Sequence, residues 1–585
     1  MKRAVAPLVW AILSVPIAVS VVRQGDPGDR SPVWDVASHA LNGLRLADSI
    51  SRLDPVSFGK ELILPHHYPP GHSVFQAPFY WVLGRTHAAS RVSSAVGLVL
   101  LVGLAVLWAV RAGADPVFAP MVILAAAASS PRLLMHAAVP MLELFGALGF
   151  VLFAALYLRS LEAPDDLRRA IWAGAAATMV YLTTVNYAII LFAGVAVYEF
   201  VRGDARAGLR ALREFWIGYR PINPWAGAVL ACLATAWVVR ITGGWQYGSI
   251  RLQSPRAPVS IAIAIVALHL AVELWKRREK MRRWPSRLKG AFWATLVPIT
   301  VWFALYPPRI RTTLDFLEGG GVSPMSWQDR FFLYPRLWVG EYHLSAPVAI
   351  GGVLALAITL ATWRRQKEAA RFLSVLALTA TLAIYLHPMR DPRFLVAVLP
   401  LYWILLASQI GFWTDRRWWL SGGASLLFAA SAWQAWRHHR EELQPRIQAA
   451  WYGNPGSAHL TAFAVHDVGE KPSMRLIGSA HGLSWHAIEF EVRRHRTMRG
   501  FRFEKDLPHT AKSRRSTGEI FARWLSKEPE DRVVTIEPPS TSWRGDVAED
   551  VEYVRLLGEC GRYRLAREDA ATVPGIRVRV WDRMR

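Results

Sequence analysis

Apolar runs long enough, or nearly long enough, to cross a bilayer recur along the first 435 residues of this 585-residue chain. A hydrocarbon core about 30 Å thick takes roughly 20 apolar residues in a helix, which satisfies its own backbone N–H and C=O groups. The runs fall at 5–22, 91–110, 115–130, 134–157, 170–184, 186–201, 225–240, 259–275, 290–306, 345–362, 371–387, 393–411 and 418–434. The stretch 170–201 reads as a tight pair broken near Thr183-Thr184-Val185-Asn186, or as one long helix. A wholly soluble fold is excluded, since 53% of residues are apolar and 19% charged, against about 25% charged in soluble domains. Met1-Lys2-Arg3 leads into the first run without a small-x-small cleavage site, so that run reads as an uncleaved span.

The formal charge is +24, from 68 Lys and Arg against 44 Asp and Glu. Such an excess suits nucleic acid or an anionic membrane surface, and its placement decides. With the N-terminus cytoplasmic, one inner loop holds Arg202, Arg206, Arg210, Arg213 and Arg220. A second holds Lys276-Arg277-Arg278-Glu279-Lys280-Met281-Arg282-Arg283, and a third Arg364, Arg365 and Lys367. This positive-inside pattern favours an odd number of spans, about 13, and no nucleic-acid partner. The expected fold is an α-helical polytopic membrane protein over 1–435, with long outer loops at 23–90 and 307–344.

Residues 436–585 then fall outside, as a small α/β domain. In it, 473–478 and 531–536 read as strands, and Thr517-Gly518-Glu519-Ile520 as a capped helix start. Two cysteines, Cys232 and Cys560, make no disulfide framework, and no clustered Cys/His spacing suggests a metal.

Polar residues at the outer ends of spans are the candidate site. Asp35, in Trp34-Asp35-Val36-Ala37-Ser38-His39, follows the first span, and His39 shares its helical face four residues on. A carboxylate there can take a proton from an incoming hydroxyl or pair with a cation; it also suits a helix cap. The loop continues through His66-His67-Tyr68-Pro69-Pro70-Gly71-His72 into an amphipathic piece, 74–81, that could lie along the membrane face. These histidines suit lipid head-group contact or loop packing better than a metal. Glu143, near the outer end of the fourth span, needs a partner or a polar cavity, and His136 and Arg132 are local candidates.

His387-Pro388-Met389-Arg390-Asp391-Pro392-Arg393-Phe394 puts cationic groups at the membrane boundary, a clamp for phosphate or an interfacial anchor. Arg309 and Arg311 are further anion candidates, and Asn186 could hydrogen-bond a ligand or satisfy a turn. Most of the 27 Trp read as an aromatic belt.

This layout resembles the GT-C superfamily of integral-membrane glycosyltransferases. It is most similar to bacterial relatives of protein O-mannosyltransferase and of the lipid A aminoarabinose transferase. The likeness rests on about 13 spans, an Asp soon after the first, and the Tyr68-Pro69-Pro70-Gly71 element running to Leu83-Gly84-Arg85. Met141-Leu142-Glu143 resembles the second acidic element. The 387–394 segment is similar to a His-Lys-Glu-x-Arg-Phe element, but lacks its Lys and Glu and is two residues longer. Val36 stands where many members carry Glu after the Asp.

The resemblance implies a polyprenyl-phosphate sugar donor, a glycan, lipid or protein acceptor, and a place in the bacterial inner membrane. Asp35 would be the general base and Glu143 its support. Arg393, Arg309, Arg311 and His387 would meet the phosphate, and His39, His72, Tyr68 and Asn186 the sugar or acceptor. No cofactor is required, and a divalent metal is optional in this class. The competing readings are a transporter or flippase, a polysaccharide ligase using a diphosphate-linked donor, and a non-enzymatic scaffold. Transporters favour internal symmetry and compact loops, which this sequence lacks.

Overall fold

The computed structural model describes residues 10, 12–63, 69–203, 205–216, 224–242, 245–247, 250–252, 258, 261–262, 265–266, 269, 272–273, 276–282, 284–305, 327–387, 391–413, 418–467, 473–478, 480, 483–495, 502–505, 516–527, 529–537 and 547–584. In their described residues, the expected spans other than 259–275, which lies largely outside them, fall mainly on helix. Among the described residues, five helices are long and apolar enough to cross a bilayer: His87–Ala112, Leu142–Glu162, Val185–Arg202, Glu368–Leu386 and Pro392–Trp413. Val15–Gln24, Ala119–Ala128, Pro224–Val239 and Ala346–Ala361 are apolar but shorter.

Two boundaries have clear local causes. The expected 134–157 span is two helices, Pro131–Ala137 and Leu142–Glu162, separated around Pro140. Proline offers no N–H to the ladder and pushes the preceding residue out of the helical region. The 170–201 stretch is a pair, Leu167–Thr183 and Val185–Arg202, with Thr184 fully extended between them at φ −158°, ψ 131°. Small residues let the helices approach closely. A Cβ on Gly174 would stand 2.5 Å from the Gly290 carbonyl oxygen.

The first long loop folds into helices Trp34–Ser51, Pro55–Ile63 and Gly71–Leu83. The 74–81 piece lies within the last of these. Its Gln76, Ala77 and Tyr80 are buried, while Val74 and Trp81 are exposed, an apolar face suited to lipid. The final long helix runs unbroken from Trp418 to Trp451.

Beyond it, five strands form a sheet in the order 502–505, 473–477, 532–537, 577–583, 563–569. The first two pairings are parallel and the last two antiparallel. Both expected strands are present, and Ser516 with Glu519 forms a capping box at the start of Thr517–Ser526. Alternate residues face opposite ways. Val534 and Ile536 pack with Ile488 and Val492, while Val533 joins Phe521, Trp524 and Tyr553 on the other face.

Candidate active site

Three sequence-distant segments meet at one end of the helical bundle. Asp35 lies in the first turn of Trp34–Ser51, whose N-cap, Val33, is extended and offers no side-chain cap. The chain is fixed there by its neighbours. The Val33 N–H donates to the Trp451 carbonyl at 3.0 Å, and Pro32 bridges to Tyr452. Gly25 runs so close to Ala138 that a Cβ would stand 2.4 Å from its carbonyl oxygen. Glu143 lies in the first turn of Leu142–Glu162. Arg393 lies in a 3₁₀ turn, Pro392–Ala397, capped by Asp391, whose Oδ1 accepts from the Arg393 N–H at 2.9 Å.

Carboxylates suit the positive ends of helices and an arginine does not, so Arg393 needs anionic company. Its Nη1 donates to Asp35 Oδ2 at 2.7 Å and its Nε to Asp391 Oδ2 at 2.6 Å. Nε is also 3.9 Å from Glu143 Oε1. Trp451 lies 5.9 Å from the guanidinium carbon, at cation–π range. Tyr334 and Tyr342 fix the turn from behind, donating to the carbonyls of Asp391 at 3.3 Å and Pro392 at 2.6 Å. The hydrogen bonds of Arg393 to these carboxylates come from Nη1 and Nε. One guanidinium thus faces three carboxylates, with Asp35, Asp391 and Arg393 about a quarter exposed and Glu143 nearly buried.

Of the two local candidates for Glu143, His136 is its neighbour, with Nδ1 3.3 Å from Oε2. The two atoms are not aligned for a hydrogen bond. Arg132 instead pairs with Glu341 at 3.0 Å. Behind Asp35, the His39 and His72 rings meet edge-on at 5.4 Å, and His72 packs on Phe145 at 4.6 Å. Burial lowers the His39 pKa, against the pull of Asp35 and Glu143. Burial, then His39, holds His72 well below the ordinary value. Among the described residues, neither His72 nitrogen has a hydrogen-bond partner.

Asn186 is buried at the start of Val185–Arg202, beside Tyr187. The Tyr187 ring packs edge-on against Phe394 at 6.4 Å. His387, six residues before Arg393, meets the same Phe394 ring at 5.9 Å. Tyr68, Arg309 and Arg311 lie outside the described residues. Sequence reasoning did not single out Asp391, Trp451, Tyr334, Tyr342 or Tyr187. Only Asp391 carries a local signal, as an Asp followed by Pro at a helix start. Among the described residues no group of three or more His, Cys, Asp or Glu side chains is placed to hold a metal.

No protein-family model and no curated protein matches the sequence. Solved structures do match in fold. ArnT from Cupriavidus metallidurans bound to undecaprenyl phosphate shares 13% identity, with 98% of each chain covered and a TM-score of 0.51. The same protein in the apo state gives 12% identity, 98% of each chain and a TM-score of 0.54. AglB, the archaeal oligosaccharyltransferase from Archaeoglobus fulgidus in complex with an inhibitory peptide and a dolichol-phosphate, gives 13% identity over 90% of this chain and 69% of its own, with a TM-score of 0.48. Over nearly its whole length this chain is similar in fold to ArnT.

Proposed function

We propose that the chain is a membrane glycosyltransferase. It moves a sugar from a polyprenyl-phosphate donor, such as a decaprenyl- or undecaprenyl-linked monosaccharide, to an acceptor hydroxyl on the extracytoplasmic side. The carrying observation is the ion pair between Asp35 and Arg393, 358 residues apart in sequence, with Glu143 beside it in the ArnT fold. The reaction breaks the bond between the anomeric carbon and the phosphate oxygen and forms one to the acceptor oxygen. The acceptor proton passes to Asp35, and the phosphate leaves with the bonding electron pair. Attack from the face opposite the phosphate inverts the anomeric centre.

Arg393 serves both halves of this step. Its Nη1 holds and orients Asp35, as a general base requires. Its Nη2 is the edge on which a phosphate would sit, where a fixed guanidinium stabilises the charge of the departing group. Glu143 orients the acceptor or supports Asp35. The lipid would lie between spans, with the bundle multi-pass in the inner membrane, the N-terminus cytoplasmic and the sheet domain outside.

The test is Asp35→Asn in the purified protein, assayed with polyprenyl-phosphate sugars extracted from the source membranes. Asn keeps an oxygen for Arg393 Nη1, so the fold should persist while transfer falls about 10²- to 10⁴-fold. Full turnover by this variant would overturn the assignment of the base. A deletion strain that accumulates no lipid-linked sugar by mass spectrometry would count against the donor class.

A further inference from the structure

The C-terminal domain reaches back onto the helix that carries Asp35. Trp34–Ser51 presents Arg45 and Asp48, ten and thirteen residues beyond Asp35 and so about 15 and 20 Å along the axis. Both meet helix Trp485–His495 of the sheet domain. Arg45 grips Glu489 with two bonds, Nε to Oε1 at 3.0 Å and Nη2 to Oε2 at 2.5 Å. Arg493 joins the two carboxylates, with Nε 2.9 Å from Glu489 Oε1 and Nη1 3.3 Å from Asp48 Oδ2. Arg85, from the loop before His87–Ala112, pairs with Asp48 Oδ1 at 2.7 Å and donates to the Arg493 carbonyl at 3.1 Å. Arg52 lies 3.8 Å from Asp48.

An apolar knob completes the contact. Phe490 is fully buried among Ala40, Leu41, Leu44 and Tyr80, with the His87 ring stacked on it at 4.0 Å.

The Asp48 and Glu489 side chains are 2% and 4% exposed. Removing one partner from a buried ion pair is costly when it strands the other, and Glu489 is the member that both Arg45 and Arg493 depend on. The Asp35 helix is therefore held on two sides. The bundle holds it through Tyr80, whose hydroxyl donates to the Ala40 carbonyl at 3.0 Å, and the C-terminal domain holds it through Glu489 and Arg493. A helix is stiff over this length, so the clamp at its far end sets the angle at which its first turn meets Arg393.

We infer that the C-terminal domain is a positioning part of the active site. Glu489, Arg493, Arg45 and Asp48 are positioning residues that fix the Asp35 helix. The catalytic consequence rests on the reading of Asp35 as the base; the structural consequence does not.

The full-length protein in nanodiscs tests both. In Glu489→Gln, amide exchange over residues 34–51 should speed up about tenfold, with Leu142–Glu162 unchanged. Glu489→Asp should recover most of the protection, because it keeps the charge. If Glu489→Gln fails to fold, Arg45→Gln is the deciding variant, since Arg493 still satisfies Glu489. In transfer from extracted polyprenyl-phosphate sugars, kcat should fall about ten- to hundredfold, with the donor KM within about twofold of the parent. Unchanged exchange over 34–51 in the folded variants would overturn the clamp. Faster exchange with unchanged kcat would overturn its catalytic role. A parent protein inactive in transfer would overturn the proposed function and leave the exchange result standing.

Discussion

Arg393 faces three carboxylates at once, and its removal should show how far the site depends on that balance. In Arg393→Gln, Asp35, Asp391 and Glu143 remain together without their common counter-charge. Each contact is 2.6–3.9 Å, and a pair of unit charges at 4 Å interacts by about 4 kcal/mol in an effective dielectric of about 20. Desolvation already offsets much of that. The measured loss on breaking a buried pair is about 3–5 kcal/mol, and the guanidinium is a quarter exposed, so about 3 kcal/mol is expected. Glu143 is the least exposed of the three, and Glu143→Gln then removes a like charge. The double variant should therefore be more stable than the sum of the singles, by about 1–2 kcal/mol. Tryptophan-monitored unfolding in detergent, run as a double-variant cycle, reads this coupling, and none of the three variants should regain transfer. Strict additivity would refute a shared electrostatic cluster.

Three further outcomes follow from local geometry. Gly146→Ala would put a Cβ 2.3 Å from the Tyr187 ring, so unfolding should show a loss of about 1–3 kcal/mol. His72, buried and depressed in pKa, binds its proton more readily unfolded than folded. Stability should therefore hold above the unfolded value near 6.5 and fall as pH drops below it, by at most about 1.4 kcal/mol per pH unit for one proton. His72→Phe should flatten that slope, and an unchanged slope in pH-dependent unfolding would refute the assignment. Ser516→Ala removes one half of the capping box and should cost about 1 kcal/mol, seen as faster amide exchange over 517–526.

Much of the fold was legible because its causes are local. Run length marked the spans, Thr183-Thr184-Val185-Asn186 marked the break, and Ser516 with Glu519 marked a helix start. Span four was misread as continuous because its apolar content outweighed one proline, Pro140. The same economy of lipid and charge singled out Asp35, Glu143 and Arg393, since an ionisable group at a span end needs a reason to be there.

The sequence by itself determined which segments are apolar, where helices start and break, and which few charges stand against that background. Periodicity and capping involve neighbours within a turn or two, so they can be read along the chain. Only the tertiary structure decided who satisfies those charges. Asp35 finds Arg393 from 358 residues away, Glu143 takes His136 while Arg132 goes to Glu341, and Asp48 is closed over by Arg493 of the far domain. A buried charge must be paired wherever a partner can be found, and that partner is set by packing rather than by position in the chain.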